Sequence, residues 1–302
     1  MATVSFRAAQ SVNKRKTFLL LGAMGALTWI VLLAIFTYLG TSSAAIVPFA
    51  VGLTLISVWG SYYGSDKLVL TMTGARQIQE SDNPKLFGLI QEITIASGLP
   101  MPKVAIVQDS APNAFATGRN PEHALIAFTT GILDVMDRDQ LQGVIAHEMA
   151  HVGNRDTLVS AVAATTAGAI ALISDMLMRI MWFGGGRRDR DNNGNPLMLI
   201  VSLIVLILAP IAAMMLKSAI SRKRESLADA TAVAFTRNPA GLRSALEVLA
   251  ADSTVVQQKS TAVAHIWIES PLDGSSVSKM FASHPPITER IATLRAMESL
   301  NS

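Results

Sequence analysis

The chain has 302 residues, of which 50% are hydrophobic and 16% are charged, and its mean hydropathy is +0.39. These values are unusual for a soluble enzyme and typical of a protein that is partly embedded in lipid. The absence of cysteine excludes disulfide frameworks, thiolate metal sites and cysteine nucleophiles, and a net charge of +3 is too small to indicate nucleic acid binding by itself.

Two apolar runs near the amino terminus predict a transmembrane hairpin over residues 1–63. Residues 17–39 carry no charge and are long enough, at about 1.5 Å per residue, to cross a hydrocarbon core of about 30 Å. Residues 44–63 form a second candidate span that ends in aromatic residues, which favour the membrane interface. A cleaved signal peptide is the alternative, but its apolar region is typically only about 7–15 residues long.

Residues 64–156 are predicted to form the first part of a catalytic domain. The stretch 81–100 has a proline in its first turn and apolar residues at helical spacing, so it predicts a helix. Two β-rich stretches follow, at 103–108 and 124–130. A helix is predicted next, beginning with a possible capping box at Asp137–Gln140. We expect a small sheet flanked by helices.

The sequence AHEMAH, at 146–151, lies on this helix and contains two of the five histidines. Four residues advance a helix by about 400°, so His147 and His151 share a face and can bind one zinc ion. Glu148 is placed to reach a water on that ion without binding the metal, as a general base does. The alternative is a polar helix face without metal, and the agreement of helix, cap and spacing disfavours it.

A second hydrophobic hairpin is predicted at 157–216. Its first run, 157–182, contains Asp175 and Arg179, which either neutralise one another at their i,i+4 spacing or indicate packing against protein instead of lipid. Its second run, 197–216, has no charge and is the stronger candidate span. Two crossings return the chain to the side that it left.

Basic residues near the apolar runs predict that both termini and the catalytic domain are cytosolic. They cluster before the first run and after the fourth: Arg7, Lys14, Arg15, Lys16, Lys217, Arg222, Lys223 and Arg224. Three arginines between the third and fourth runs are a weak contrary signal. The basic residues at 222–224 favour anionic lipid head groups over nucleic acid as a partner, because they adjoin a predicted span.

A third metal ligand is expected from residues 217–302, the second part of the catalytic domain, because a catalytic zinc normally has three protein ligands. Glu225 and Asp229 are spaced i,i+4 on a predicted helix, and either side chain suits the role. The competing interpretation is that both are solvated partners of the neighbouring Arg and Lys residues. The even number of crossings favours a ligand, since it places both carboxylates on the side of His147.

Several motifs in chain order resemble the HtpX family of membrane-bound zinc metalloproteases, which is related to the CAAX-prenyl endoproteases. They are PNAFATG at 112–118, AHEMAH at 146–151, SRKRESLADA at 221–230 and SHPPITERI at 283–291, together with the paired apolar runs. The resemblance implies one Zn²⁺ per subunit, bound by His147, His151 and Glu225. It also implies that Glu148 is the catalytic base and that Asp229 orients a ligating histidine.

Asn113 and His284 also match family motifs, and each is expected to donate hydrogen bonds to the substrate carbonyl and its developing oxyanion. The alternatives are a turn residue for Asn113 and a helix-entry residue for His284. His123 and His265 match nothing and are expected at the surface or in packing. The stretch 122–130 is a candidate exposed strand edge on which an extended substrate would add.

The implied protein is an α+β membrane protein, mainly helical, with a small β-sheet in a zincin-like cytosolic domain and about four transmembrane or hydrophobic helices. The resemblance implies an endopeptidase of the cytoplasmic membrane that degrades misfolded or damaged membrane proteins during stress. A noncatalytic membrane protein with a structural zinc site is one alternative, although such a site does not need Glu148. A zinc hydrolase acting on lipids or other small substrates is another. The same ligands also accept other divalent metals.

Overall fold

The computed structural model describes residues 43–158, 160, 224–252, 267–268 and 286–301, with isolated positions at 15–33 and 203–211. The predicted span at 17–39 and the hairpin at 157–216 therefore lie largely outside the described residues. His265 and His284 lie wholly outside them.

The second apolar run belongs to a long helix, α1, at Ser43–Thr73. Several large apolar side chains of this helix are exposed: Val51, Leu55, Ile56, Trp59 and Tyr63. Within the part of the chain that the structure describes, no helix is both long enough and apolar enough to cross a membrane. The membrane spans stay predictions.

Four strands of the described residues form one mixed sheet. They are β1 (Arg76–Ile78), β2 (Lys103–Val107), β3 (Ala114–Thr117) and β4 (Leu125–Thr129), in the spatial order β1-β2-β4-β3. β2 and β4 are parallel, with Lys103 opposite Leu125. β1 pairs with β2, and β3 pairs with β4, in the antiparallel sense. The two predicted strands are confirmed as the inner pair, and the sequence reasoning missed both outer strands.

The hypothesis of an exposed edge at 122–130 is wrong. β4 hydrogen-bonds to β2 on one side and to β3 on the other, so it has no open edge. All five of its residues are buried, as is typical of an inner strand. The error follows from missing β3, whose four residues occupy the edge that the sequence seemed to leave open.

Two helices predicted from capping signals are confirmed. α2, at Pro84–Ser97, begins where the Asn83 side chain accepts the Leu86 amide and ends at Gly98, whose φ is 68°. A short helix α3 lies at Thr130–Val135. α4, at Arg138–Gly153, begins with the predicted capping box of Asp137 and Gln140.

The carboxy-terminal part of the domain adds three described helices: α5 (224–236), α6 (Pro239–Ala251) and α7 (Ile287–Asn301). α4 packs against α2, α6 and β3, and α6 packs against α7. Gly143 permits the close approach of α4 to α6, because an added Cβ would lie 2.6 Å from the backbone nitrogen of Leu242.

The sheet separates two apolar clusters. Ile126 and Phe128 of β4 face the larger cluster, which contains the buried side chains of α2, α4 and α6. Leu125 and Ala127 face the smaller cluster, which includes Val69 of α1 and Trp267. Because neighbouring residues of a strand point to opposite faces, the helix α4 lies on one face of the sheet and the end of α1 on the other.

Candidate metal centre

Two histidines of α4 and one glutamate of α5 converge in the interior. His147 and His151 are one turn apart, with their rings edge to face at 88° and their centroids 4.6 Å apart. Their Nε2 atoms are separated by 3.1 Å. Glu225 approaches both rings, with Oε2 at 3.5 Å from Nε2 of His147 and Oε1 at 3.4 Å from Nε2 of His151.

These separations fit a tetrahedral metal ion. Zinc bonds to nitrogen and oxygen of about 2.0–2.1 Å, at tetrahedral angles, place neighbouring donor atoms about 3.3 Å apart. The three residues each offer one donor, and the donors lie within 4.8 Å of one another. Two imidazoles and a carboxylate are also the donor types of known catalytic zinc sites. The geometry therefore accommodates the metal that the sequence predicts.

Asp229 contacts the far side of the first histidine. Its Oδ1 lies 2.9 Å from Nδ1 of His147, while Nε2 of the same ring faces Glu225. Arg290 of α7 donates two hydrogen bonds to Asp229, at 2.7 and 2.9 Å. Asp229 thus lies where an orienting carboxylate is needed, since a ring whose Nδ1 is engaged presents Nε2 to a metal.

The second histidine has a similar neighbour. Oδ2 of Asp156 lies 3.1 Å from Nδ1 of His151. Arg224 lies beside Asp156, with Nε 3.6 Å from Oδ1, and its guanidinium donates to the backbone carbonyl of Asp156 at 3.5 Å. Each histidine of the site is therefore backed by one aspartate and one arginine.

The electrostatic environment raises the pKa of both histidines. Burial lowers the pKa of His147, and Arg290 lowers it further. Hydrogen bonds with Asp229 and Glu225 outweigh these effects, so the pKa of His147 is raised. Burial also lowers the pKa of His151. The negative charge of Glu225, followed by the hydrogen bond with Asp156, outweighs burial, so the pKa of His151 lies well above its usual value. The site favours positive charge between its carboxylates.

Asp229 and Arg290, the ion pair behind His147, shift each other's pKa in the directions that keep both groups charged. Burial acts to raise the pKa of Asp229, but Arg290 and then His147 lower it to about 2. Burial acts to lower the pKa of Arg290, and the charges of Asp229 and Glu225 raise it above its ordinary value. Asp229 is therefore ionised at neutral pH, and both of its oxygens are available to accept hydrogen bonds.

Glu148 is buried beside His147 on α4. Its charge contributes, after those of Asp229 and Glu225, to the raised pKa of Arg290. Glu148 therefore lies within electrostatic reach of the cluster.

Asn113 immediately precedes β3 and is buried. Its backbone N–H donates to Oγ1 of Thr129 at 2.8 Å, and its side-chain oxygen accepts a hydrogen bond from the backbone N–H of Ala114 at 3.0 Å. These bonds place it in the pairing of β3 with β4, and β3 packs against α4. The proposed contact of Asn113 with substrate stays a prediction, as does that of His284.

Sequence reasoning missed Asp156, Arg224 and Arg290 as neighbours of the site. A signal for Arg290 is present, because it shares the apolar face of α7 with the half-buried Ile287 and the buried Leu294. A buried arginine on such a face requires a carboxylate partner. No comparable signal marks Asp156, which lies beyond the end of α4.

Comparisons with known proteins agree with this geometry. Residues 80–298 match the profile of Peptidase family M48. A "Protease HtpX homolog" of Syntrophobacter fumaroxidans is 45% identical over 289 residues, covering 94% of this chain and 99% of the relative. One of Streptococcus gordonii is 43% identical, covering 95% and 98%. The crystal structure of S. mikatae Ste24p shares the fold, with a TM-score of 0.51 at 18% identity, covering 97% of this chain and 67% of that one.

Proposed function

The chain belongs to Peptidase family M48 and is a metalloprotease, and on this premise we propose that it is a zinc-dependent endopeptidase whose metal is bound by His147, His151 and Glu225. The observation that carries the proposal is the convergence of three donor atoms from two helices at tetrahedral spacing. Neither a polar helix face nor a set of solvated ion pairs requires that convergence in the protein interior.

His147, His151 and Glu225 would hold the zinc ion, which when bound would supply Lewis acidity and lower the pKa of a water. Glu148 accepts the proton of the attacking water and then donates it to the departing amine. Asp229 keeps the Nδ1 proton of His147 in place, so that Nε2 remains available. Asn113 and His284 are proposed to donate hydrogen bonds to the carbonyl oxygen of the substrate.

We propose that the substrates are misfolded or damaged membrane proteins and that the enzyme works at the cytoplasmic membrane, with its catalytic domain in the cytosol. The uncharged runs at 17–39 and 197–216 support a membrane location. The exposed apolar side chains of α1 support it too, because such a surface is costly in water. The relatives described as HtpX proteases support a protein substrate.

The test compares detergent-purified wild type, Glu148→Gln and the control Glu122→Gln, whose glutamate is exposed in a short turn. Each is assayed for cleavage of an unfolded reporter such as casein, for phospholipid hydrolysis and for zinc content. We expect stoichiometric zinc in all three and loss of proteolysis in Glu148→Gln alone.

Zinc binding without proteolysis by the wild type would favour a structural metal site. Hydrolysis of phospholipid without cleavage of the reporter would instead favour a lipid hydrolase.

A further inference from the structure

Both histidines of the metal centre are held from behind by an aspartate that contacts an arginine. His147, Asp229 and Arg290 form one such set, which we call the inner relay. His151, Asp156 and Arg224 form a second set, the outer relay. The two relays are built from different parts of the fold, because Arg290 belongs to α7 and Asp156 follows α4.

We propose that Asp156 and Arg224 are positioning residues, which hold His151 in the orientation that turns its Nε2 toward the metal and tie this orientation to the placement of Glu225. This inference rests on the proposed function, because it concerns the same metal centre. It goes further by assigning a role to Asp156, which had none, and by correcting the expectation for Arg224, which is buried beside Asp156 and not exposed to lipid head groups.

The two histidine rings differ in how their orientation is fixed. The side chain of His147 is 1% exposed, whereas that of His151 is 14% exposed. Packing therefore restrains His151 less, and its orientation depends more on the hydrogen bond at Nδ1. Asp156 is the partner of that nitrogen, at 3.1 Å, and is itself almost fully buried. A carboxylate that accepts the Nδ1 proton leaves Nε2 with its lone pair free for a metal.

Arg224 connects Asp156 to the helix that carries Glu225. Arg224 precedes Glu225 on α5, so the residue beside Asp156 is the chain neighbour of the third ligand. The guanidinium contacts both the carboxylate and the backbone carbonyl of Asp156. A displacement of α5 would therefore move Glu225 and Asp156 together. In this way the outer relay keeps the Nε2 atom of His151, on α4, close to the carboxylate of Glu225, on α5.

The backbone on both sides of Asp156 is constrained. Arg155 has φ of 61°, a left-handed conformation that is unfavourable for a side chain of its kind. The residue on the other side, Thr157, donates its hydroxyl to the carbonyl of Gly118 at 2.9 Å. Asp156 is therefore turned back toward α4 and anchored to the loop after β3, and strain of this kind persists where the surroundings determine it.

The alternative is that the Asp156–Arg224 pair stabilises the fold without affecting the metal. The experiment separates the two roles with the full chain in detergent, using Asp156→Asn, Asp156→Ala and the control Thr73→Val. Thr73→Val removes a buried side-chain hydrogen bond to the carbonyl of Val69 at the end of α1, which lies across the sheet from α4. For each protein the zinc dissociation constant is measured by chelator competition, the visible spectrum is recorded with Co²⁺, and the unfolding temperature is measured without metal.

We expect both Asp156 variants to bind zinc about 10 to 100 times more weakly than wild type and to show a shifted Co²⁺ spectrum. Thr73→Val is expected to keep both properties, even where its metal-free unfolding temperature falls as far. Zinc affinities within threefold of wild type in both Asp156 variants, or a loss no greater than that of Thr73→Val, would overturn the inference.

Arg224→Lys and Arg224→Met provide a second comparison in case the Asp156 variants do not fold. The lysine variant retains a charge beside Asp156, so we expect its zinc affinity to lie closer to wild type, and equal affinities of the two variants would count against the role of Arg224. A wild type that binds zinc but cleaves nothing contradicts the proposed function, while the affinity comparison still decides this inference.

Discussion

Arg290 forms a two-pronged ion pair with Asp229, at 2.7 and 2.9 Å, in the interior of the protein. The pair joins α7 to α5, although 61 residues separate its members in sequence. The carboxylate of Asp229 also contacts His147, so α7 contributes, through Arg290, to the surroundings of the candidate metal centre. The described helices α4, α5 and α7 are consequently expected to fold as one unit.

Replacement of Arg290 by methionine is predicted to destabilise the metal-free protein by about 3–5 kcal/mol, because Asp229 would be left buried without its compensating charge. The measurement is the free energy of unfolding in urea at neutral pH with a chelator present. Arg295→Met is the matched control on the same helix, because that side chain is 66% exposed and pairs with Glu247 at the surface. Its expected cost is below about 1 kcal/mol. Equal losses in the two variants would contradict the prediction.

Substitution of Gly143 by alanine is predicted to cost about 1–3 kcal/mol, because the new methyl group would overlap the backbone of Leu242 at 2.6 and 2.7 Å. Backbone cannot move aside as a flexible side chain can, so α4 must shift relative to α6. The control is Gly88→Ala in α2, where nothing lies within 4 Å of the added carbon. Alanine is expected to stabilise that helix by about 0.5–1 kcal/mol. Thermal unfolding should give a lower unfolding temperature for Gly143→Ala and a higher one for Gly88→Ala. A stabilised Gly143→Ala protein would show that α4 and α6 are not packed this closely.

Local patterns in the sequence predicted the elements whose signals are local. The caps of α2 and α4 are side chains within three residues of the helix start, so they can be read without knowledge of the fold. β1 and β3 have only three and four residues. Runs this short contain too few positions for alternation to be recognised. β3 depends instead on its pairing with β4, through Asn113 and Thr129.

The candidate metal centre also has one part that local sequence predicts and one part that only the fold decides. The spacing of His147 and His151 identifies a shared helix face from the sequence alone. The choice between Glu225 and Asp229 does not follow from spacing, since two carboxylates at i,i+4 are equivalent in a helical pattern. The fold distinguishes them, because Glu225 approaches the Nε2 atoms and Asp229 approaches Nδ1 of His147. That distinction depends on the angle between α4 and α5, which no local pattern encodes.

Acid is predicted to weaken the contact between α6 and α7. Glu247 accepts hydrogen bonds from Arg243 of its own helix and Arg295 of α7, and these, the bond from Arg243 first, lower the pKa of its carboxyl. A depressed folded-state pKa stabilises the protein above the unfolded pKa of about 4.5, and this contribution is lost as the pH falls through the folded value. Glu247→Gln should therefore lower the urea midpoint at pH 7, and the difference from wild type should shrink as the pH falls below about 4.5. The matched control is Glu80→Gln, whose carboxylate is exposed in a short helical turn before α2. A difference between wild type and Glu247→Gln that is constant across this range would contradict the assignment.

Replacement of Arg155 by glycine is predicted to stabilise the metal-free protein by up to about 1 kcal/mol. Arg155 has φ of 61°, and glycine adopts this conformation without the steric cost of a Cβ. The side chain is exposed, so its removal loses little packing. Gly98→Ala provides the opposite comparison, because Gly98 ends α2 at φ 68° and alanine there should cost about 1 kcal/mol. Both changes are measured by urea unfolding with a chelator present. A destabilised Arg155→Gly protein would mean that the arginine makes a stabilising contribution larger than the strain it relieves. An unchanged zinc affinity in Arg155→Gly would show in addition that the contact of Asp156 with His151 does not depend on the strained residue.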